Sequence, residues 1–335
     1  MLILGIETSC DETAVSLVED GNKILSNLIA SQLELHKKFW GIVPEVASRR
    51  HLEVILPLLK ECLDEAKIRL EDIDAVAVTK GPGLSGSLLV GVTVAKGISF
   101  SLGIPLIGIN HLEAHLWAAF LLDSSLSPPF IGLVISGGHT ELVYLSEKKE
   151  YELLGSTRDD AVGEAFDKVA RILNLEYPGG PVIEKVAKRG DPFKIDLPFP
   201  KFKEDTLDFS FSGLKTAVLY KVKKLKEKKQ KIPVEDIAAS FQLQIAKIIW
   251  QRIKESVKIK KTNRVVLGGG VASNQFIRDF IRENSESKIQ IFVPPPILCT
   301  DNAAMVAALG FEKLRQGKVS TYSLEVQPNL KIGAD

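Results

Sequence analysis

The chain has 335 residues, of which 45% are hydrophobic and 25% charged, and its formal net charge is +1. This length favours two domains rather than one core, and the small net charge argues against a protein coated with nucleic acid over its whole surface. Three cysteines cannot form a fully paired disulfide framework, which favours a reducing cytoplasm. We find no signal peptide and no apolar run of about 20 residues, so we expect a soluble cytoplasmic protein without a membrane span.

The first predicted element is a β-hairpin, with an apolar strand at residues 2–6, a polar turn at 7–13 and a return strand at 14–18. Residues 131–145 predict a second hairpin of the same kind. Three pairs of residues match between the two hairpins at one constant offset: Gly5 and Gly132, Ser9 and Ser136, Thr13 and Thr140. This match indicates an internal duplication.

A second pair of segments supports the duplication. Residues 75–78 form an apolar strand that enters a glycine loop, and residues 265–267 enter the loop Gly268-Gly269-Gly270, each before a predicted helix. Polar and proline residues cluster at 122–128 and mark the expected boundary. We therefore predict two domains of one α/β type, residues 1–125 and residues 126–335.

Four further helices are expected. Helical periodicity predicts them at residues 44–66, 86–102, 237–257 and 302–314. Pro44 suits a helix start, whereas Pro57 predicts a kink or a split. Gly91 and Gly97 would let the second helix pack closely, and Asp301 would cap the last one. Residues 193–211 show no helical period and predict strand and loop.

A candidate metal site lies where a strand leads into a helix. His111 and His115 are four residues apart, so their imidazoles share one helix face and could bind one metal ion. The alternative is a pair of half-buried histidines without a ligand. Glu113 points away from that face, unlike the glutamate that directly follows the first histidine of a zinc protease. Asp301 is either a helix cap only or a third metal ligand.

Two glycine turns are candidate phosphate sites. Ser136-Gly137-Gly138 could offer backbone N–H groups and a hydroxyl, and Gly268-Gly269-Gly270 precedes a helix. The alternatives are ordinary tight turns, and neither segment is a Walker loop.

Asp160, Glu164 and Asp167 are expected on one side of a helix, either as a solvated face or as a pocket wall that binds ribose hydroxyls.

Seven motifs taken together resemble the TsaD family, the bacterial tRNA N6-adenosine threonylcarbamoyltransferases once described as glycoprotein endopeptidases. The motifs are GIETSCDET (5–13), the His111/His115 pair, SGGHT (136–140), GEAFDK (163–168), YPGGP (177–181), FSFSGLKTA (209–217) and CTDNAAM (299–305). The resemblance implies an actin-like fold of the sugar kinase, Hsp70 and actin type. Two duplicated ribonuclease-H-like domains would have a cleft between them.

The resemblance also implies the site residues. His111, His115 and Asp301 would bind one Fe²⁺ or Zn²⁺ ion. A second site would bind the adenylate of threonylcarbamoyl-AMP, or alternatively ATP or ADP. The residues that would line this site are Val134, Ile135, Ser136, Gly137, Gly138, Asp167, Gly180, Glu184 and Asn274. Asp11 and Glu12 are the candidate bases that accept the proton from N6, and the leaving phosphate is the alternative.

The implied reaction transfers threonylcarbamoyl from threonylcarbamoyl-AMP to N6 of adenosine 37 in tRNAs that read ANN codons, and it releases AMP. The implied partners are the tRNA anticodon loop, a TsaB-like paralogue as heterodimer partner and a TsaE-like ATPase, with no membrane. The lysine run at residues 221–231 is either solvated surface or an RNA contact. The alternatives to this function are a metalloprotease, or an ATP-binding scaffold or sugar kinase of the same fold.

Overall fold

The computed structural model describes residues 1–123, 125–200, 202–285 and 287–334. It divides the chain into a first unit, residues 1–127 and 297–335, and a second unit, residues 128–296. The division after Ser127 falls in the predicted boundary region. Residues from Ile297 onward belong to the first unit, which differs from the predicted second domain of residues 126–335, because the last long helix packs on the first sheet.

Within the described residues the strands form two sheets. In chain order they are β1 (Leu2–Glu7), β2 (Glu12–Glu19), β3 (Lys23–Ser31), β4 (Ala75–Gly81), β5 (Leu106–Asn110), β6 (Phe130–Ile135), β7 (Thr140–Leu145), β8 (Tyr151–Ser156), β9 (Arg264–Gly268) and β10 (Gln290–Phe292). The first unit has the strand order β3-β2-β1-β4-β5, and the second has β8-β7-β6-β9-β10. Each strand of the first sheet has a counterpart at the same place in the second, which agrees with the predicted duplication.

The helices lie between and after groups of these strands. In chain order they are α1 (Leu33–Lys37), α2 (Pro44–Ala66), α3 (Ser85–Leu102), α4 (His111–Trp117), α5 (Val162–Ile172), α6 (Gly179–Ala187), α7 (Ser212–Glu227), α8 (Val234–Lys260), α9 (Gln275–Asn284), α10 (Pro296–Cys299) and α11 (Ala303–Arg315). Short 3₁₀ turns occupy Leu70–Asp72, Ala118–Leu121 and Gly270–Ser273.

Both hairpins pair as predicted. β1 pairs antiparallel with β2 and parallel with β4, while β6 pairs antiparallel with β7 and parallel with β9. Every residue of β1 and of β6 is buried, because helices cover these central strands and their sequences are almost continuously apolar. The polar turns that follow β1 and β6 therefore lie at equivalent places in the two units.

The helix α2 has the predicted bounds, and its buried residues recur at helical spacing. They are Ala47, His51, Ile55, Leu59 and Cys62. The predicted split at Pro57 is wrong, since α2 is one helix from Pro44 to Ala66. Pro57 is exposed, so the carbonyl that loses its hydrogen bond to the proline can be solvated by water.

The helix α3 is long and apolar enough to cross a membrane by length and composition, although the core helix of a soluble protein passes the same test. A Cβ at Gly91 would lie 2.3 Å from the Thr8 Oγ1, so this glycine does permit close packing. A Cβ at Gly97 would meet no atom within 4 Å, so the prediction for Gly97 is not supported.

Two segments of the second unit differ from the predicted secondary structure. Asp160 was expected on a helix with Glu164 and Asp167, but α5 begins only at Val162. Asp160 instead accepts hydrogen bonds from Lys168 at 2.6 Å and Lys215 at 3.0 Å. The described part of residues 193–211 contains no helix or extended strand before Phe211, and Lys201 lies outside the described residues.

Candidate metal centre and phosphate-binding turns

The two histidines are positioned by the junction between β5 and α4. Asn110 ends β5 and caps α4, because its Oδ1 accepts a hydrogen bond from the Leu112 N–H at 2.9 Å. The side-chain amide of Asn110 also donates to the Lys331 carbonyl at 2.8 Å, which ties the cap to the C-terminal segment. His111 and His115 follow one helical turn apart, with ring centroids separated by 4.6 Å.

Asp301 completes the cluster. Its predicted role as the cap of α11 is wrong: α11 begins at Ala303, and Asn302 caps it by accepting from the Met305 N–H at 3.1 Å. The Asp301 Oδ1 lies 3.6 Å from the His111 Nε2 and 3.2 Å from the His115 Nε2. One ligand atom from each of the three residues lies within 4.8 Å of the others, and all three belong to the first unit.

The bonding of His115 tests whether the cluster suits a metal ion. This side chain is fully buried, and neither ring nitrogen makes a hydrogen bond, even though Nε2 lies near Asp301. A buried polar atom without a partner is costly, and a metal ion at Nε2 would remove that cost. Two imidazoles and one carboxylate are the donors that Fe²⁺ and Zn²⁺ accept, so the residues fit the implied ion.

Glu7 orients the first histidine and was missed by the sequence analysis. It is fully buried at the end of β1, and its Oε2 lies 3.0 Å from the His111 Nδ1. The Thr79 hydroxyl and the Ser9 N–H donate to the same carboxylate, both at 2.6 Å. A carboxylate bound to Nδ1 places the proton there and leaves Nε2 to face the cluster.

Charges around His111 favour a cation at this position. Burial opposes the protonated form, but Glu7 and Asp301 outweigh it and raise the pKa of His111 to about 9. Burial also opposes the charge on Glu7, yet the neighbouring His111 holds the pKa of that carboxyl below its ordinary value. Two carboxylates that stabilise an imidazolium would equally stabilise a metal cation coordinated by neutral imidazoles.

Glu113 is directed away from the histidine pair, as predicted. It is buried, accepts a hydrogen bond from the Gly333 N–H at 3.1 Å and lies 3.5 Å from the Lys313 ammonium. These contacts hold its carboxylate in a structural role. The cluster therefore lacks the adjacent glutamate that serves as the base in a zinc protease.

The candidate base Asp11 ends the hairpin turn of the first unit, and the candidate base Glu12 is the first residue of β2. Burial, together with Asp301, raises the pKa of Asp11. Burial raises the pKa of Glu12 to about 7, against a hydrogen bond of 2.8 Å from the Ser31 hydroxyl. The second carboxylate oxygen of Glu12 is buried without a hydrogen-bond partner. A carboxyl with a pKa near 7 has the proton affinity that suits a general base.

The equivalent turn of the second unit has a different composition. Ser136 closes it, with its N–H donating to the His139 carbonyl at 2.9 Å and its hydroxyl accepting from the His139 N–H at 3.1 Å. A Cβ at Gly137 or Gly138 would meet no atom within 4 Å, so the backbone there faces open space. The preceding Val134 and Ile135 side chains are fully buried in the sheet, so only their backbone could meet a ligand.

Two neighbouring segments approach this turn closely. The Gly163 N–H at the start of α5 donates to the Ser136 carbonyl at 3.1 Å. Gly269 has φ +91°, and a Cβ there would lie 2.4 Å from the Ile135 carbonyl oxygen. Only glycine suits that backbone and that contact. The β9 loop and the β6 turn therefore lie side by side, as a phosphate-binding pair would.

Three of the remaining predicted nucleotide residues, Asp167, Glu184 and Asn274, have hydrogen-bond partners within the second unit. Asp167 accepts from the Gly179 N–H at 2.6 Å, and burial raises its pKa to about 6. Glu184 accepts from the Gln275 N–H at 3.0 Å. Asn274 caps α9 through the Ile277 N–H and donates to Gln242, both at 3.0 Å. Gly180 has open space where a Cβ would be.

Comparison with known proteins identifies the class and then the family. Over 94% of this chain, the fold resembles (R)-2-hydroxyglutaryl-CoA dehydratase component A from Acidaminococcus fermentans, with TM-score 0.55, 15% identity and 99% of that chain covered. Full-length HypF in its phosphate- and nucleotide-bound form gives TM-score 0.62 and 16% identity over 95% of this chain and 56% of that chain. At these identities the likeness shows the fold alone, and the predicted actin-like class is confirmed.

The family follows from sequence. Residues 23–308 match the TsaD family, described as tRNA N6-adenosine threonylcarbamoyltransferase. Proteins of that name from Clostridium perfringens (strain 13 / Type A) and Clostridium botulinum (strain Kyoto / Type A2) are each 49% identical to this chain, over 99% of it and 98% of their own length. The chain belongs to the TsaD family, and its activity is transfer of the threonylcarbamoyl group to N6 of adenosine in tRNA.

Proposed function

We propose that the donor is threonylcarbamoyl-AMP and that the acceptor is N6 of adenosine 37 in tRNAs that read ANN codons, with AMP as the second product. The observation that carries this proposal is the His111/His115/Asp301 cluster, in which both histidines are buried and His115 has no hydrogen bond. These residues would hold one Fe²⁺ or Zn²⁺ ion. When bound, such an ion supplies a Lewis acid that polarises and orients the threonylcarbamoyl group.

The phosphate and the ribose are assigned to the second unit. The open backbone of Ser136-Gly137-Gly138 would donate N–H groups to the phosphate, on which negative charge returns as AMP leaves. Asp167 and Glu184 would accept hydrogen bonds from ribose hydroxyls, since a carboxylate attracts a diol and repels a phosphate. Val134, Ile135, Gly180 and Asn274 would shape this site through backbone and packing.

The proton of N6 needs an acceptor. Glu12 is favoured by its pKa of about 7 and by its unpartnered carboxylate oxygen, while Asp11 and the leaving phosphate are the alternatives. Loss of single-turnover transfer in Glu12→Gln, with normal transfer in Asp11→Asn, would support Glu12. Near-normal rates in both variants would leave the phosphate as the acceptor.

The two alternative functions, a metalloprotease and an ATP-binding scaffold or sugar kinase, would give different products. A metalloprotease would need a base beside the metal ligands, but the Glu113 carboxylate is bound to Gly333 and Lys313. Chelator-sensitive cleavage of a glycoprotein would favour it. An ATP-binding scaffold or sugar kinase would account for the glycine turns but not for the buried cluster, and ATP hydrolysis without a tRNA product would favour it.

The deciding experiment supplies labelled threonylcarbamoyl-AMP and unmodified tRNA to the metal-loaded protein. We expect label in tRNA at adenosine 37, no label in a tRNA with guanosine at that position, and equimolar AMP. Repeating the assay with TsaB-like and TsaE-like proteins added distinguishes transfer by the protein alone from turnover that depends on these partners. AMP release without labelled tRNA, with and without these partners, would contradict the proposal.

We assign partner binding to two surfaces, and we propose the cytoplasm as the compartment in which the protein acts. Leu52, Leu56 and Leu89 on α2 and α3 are 68%, 60% and 56% exposed, which supports this apolar surface as the dock for a TsaB-like paralogue. The exposed lysines at 221–231 support an RNA contact. Reversing the charge of Lys223, Lys224 and Lys226 should weaken tRNA binding and reduce its salt dependence, and unchanged binding would make the run ordinary surface.

A further inference from the structure

We infer that Phe39 and Trp40 form a stacking platform for an unpaired nucleotide of the tRNA anticodon loop, next to the target adenosine. The inference rests on the proposed acceptor being that loop. Both side chains are exposed: Phe39 is 50% exposed and Trp40 is 48% exposed, on the segment between α1 and α2. The other two tryptophans, Trp117 and Trp250, are only 6% and 9% exposed.

The backbone at Trp40 argues against a role in packing alone. Trp40 has φ +55°, the left-handed region in which bulky residues are rare and which costs roughly 1 to 2 kcal/mol. Its N–H donates to the Lys37 carbonyl at 3.1 Å, and the Phe39 N–H donates to the His36 carbonyl at 3.0 Å. A tight turn thus holds a large aromatic side chain in a half-exposed position.

The platform is anchored to the turn that carries the candidate bases. The Gln32 N–H, just before α1, donates to the Asp11 carbonyl at 3.1 Å. His36 is fully buried, and its Nδ1 accepts from the Val43 N–H at 3.4 Å, so the loop closes on this residue. The segment that carries Phe39 and Trp40 is therefore attached, through Gln32 and α1, to the turn that carries Asp11, where we place the target base.

Charge next to the aromatic pair favours RNA over a membrane or an apolar protein surface. Lys38 is exposed, and its ammonium lies 5.2 Å from the centre of the Phe39 ring. Lys37 is 40% exposed and pairs with Glu34 at 2.5 Å. An ammonium beside a ring lets one loop bind a phosphate and stack a base, which is how proteins bind single-stranded nucleic acid without reading a duplex.

Because Trp40 is the exposed tryptophan, fluorescence of the metal-loaded full-length protein can test the contact directly. Iodide should quench mainly Trp40, and an anticodon stem–loop RNA should both quench the emission and protect the remainder from iodide. The Phe39→Ala/Trp40→Ala variant should bind this RNA roughly 5- to 100-fold more weakly, because stacking contributes that much per base. Trp40→Phe, which keeps a stacking ring, should stay within about threefold of the original affinity.

Controls separate this inference from the proposed function. Phe193→Ala removes another aromatic side chain, which is 78% exposed, and should leave RNA affinity unchanged. Unchanged affinity in Phe39→Ala/Trp40→Ala, with normal label transfer, would overturn the platform and leave the function intact. Lost binding of the TsaB-like partner with unchanged RNA affinity would also overturn it, by making the loop a protein contact. Absence of transfer by the unaltered protein and its partners would remove the proposed function itself.

Discussion

The two hairpin turns lie at equivalent places in the two units, yet their surroundings differ in kind. After β1, the first unit brings the buried side chains of Glu7, His111 and His115 together with the partly buried Asp301, and Glu7 bonds to His111. After β6, the second unit leaves Gly137 and Gly138 open to a ligand. We propose side-chain donors for a cation in the first arrangement and backbone donors for an anion in the second.

The two turns thus differ in the kind of donor that they present, side chains in the first unit and backbone in the second. A buried network of side chains is costly unless every member has a partner, so each residue in it depends on the others. A backbone turn needs only the correct conformation, so it tolerates change in side chains but not in glycines. Substitutions in the two places should therefore fail in different ways, by loss of metal in the first and by loss of nucleotide in the second.

The largest effect is expected from the metal ligands. His111→Ala or His115→Ala should abolish stoichiometric metal binding and lower threonylcarbamoyl transfer by more than about 100-fold, because one ligand of three is removed. Metal content is measured on the purified protein, and transfer with labelled threonylcarbamoyl-AMP. Glu113→Gln is the matched control on the same helix and should keep the metal. Full metal content in both histidine variants would refute the site.

The second largest effect is expected from Glu7, whose carboxylate bonds to the His111 Nδ1. Glu7→Gln keeps the size of the side chain but removes the charge that fixes the proton on the His111 Nδ1. We expect metal affinity to fall about 10- to 100-fold while nucleotide affinity stays unchanged. Competition with a chelator measures the first quantity and calorimetry measures the second. Equal losses in both would show that Glu7 supports the fold as a whole.

Glu7 also shows the limit of sequence reasoning. The duplication, the two hairpins and the α2 bounds could be predicted, because apolar periodicity and repeated glycines are local signals. The His111/His115 spacing was equally visible. The role of Glu7 was not, because a buried acid at a strand end has meaning only once folding brings His111 and Thr79 to it.

The same limit explains the errors at helix ends. Asp301 and Asn302 are both good caps by residue type, and the choice depends on backbone conformation, which places Asn302 at φ −153° and ψ 157°. Asp160 lies just before α5 for the same reason. The return of residues from Ile297 to the first unit is a tertiary contact that no local pattern encodes.

A smaller effect is expected in the glycine loop of the second unit. Gly269→Ala places a Cβ 2.4 Å from the Ile135 carbonyl at φ +91°, so the loop must shift. We expect a loss of about 1 to 3 kcal/mol in stability or nucleotide binding, with metal content unchanged. Gly270→Ala is the matched control, since a Cβ there meets open space. If Gly270→Ala is as damaging as Gly269→Ala, steric fit at the β6 turn is not the cause.

The smallest effect is a pH dependence confined to the nucleotide site. Burial raises the pKa of Asp167 to about 6, so this carboxyl is ionised at pH 7.5 and becomes protonated as the pH falls through about 6. Only the ionised form accepts hydrogen bonds from both ribose hydroxyls. Affinity for adenosine, chosen because it has no phosphate to titrate, should be flat above about pH 7 and should fall by up to tenfold per unit below pH 6. Asp167→Asn should remove the dependence; a slope that survives this substitution would assign the titration to another group.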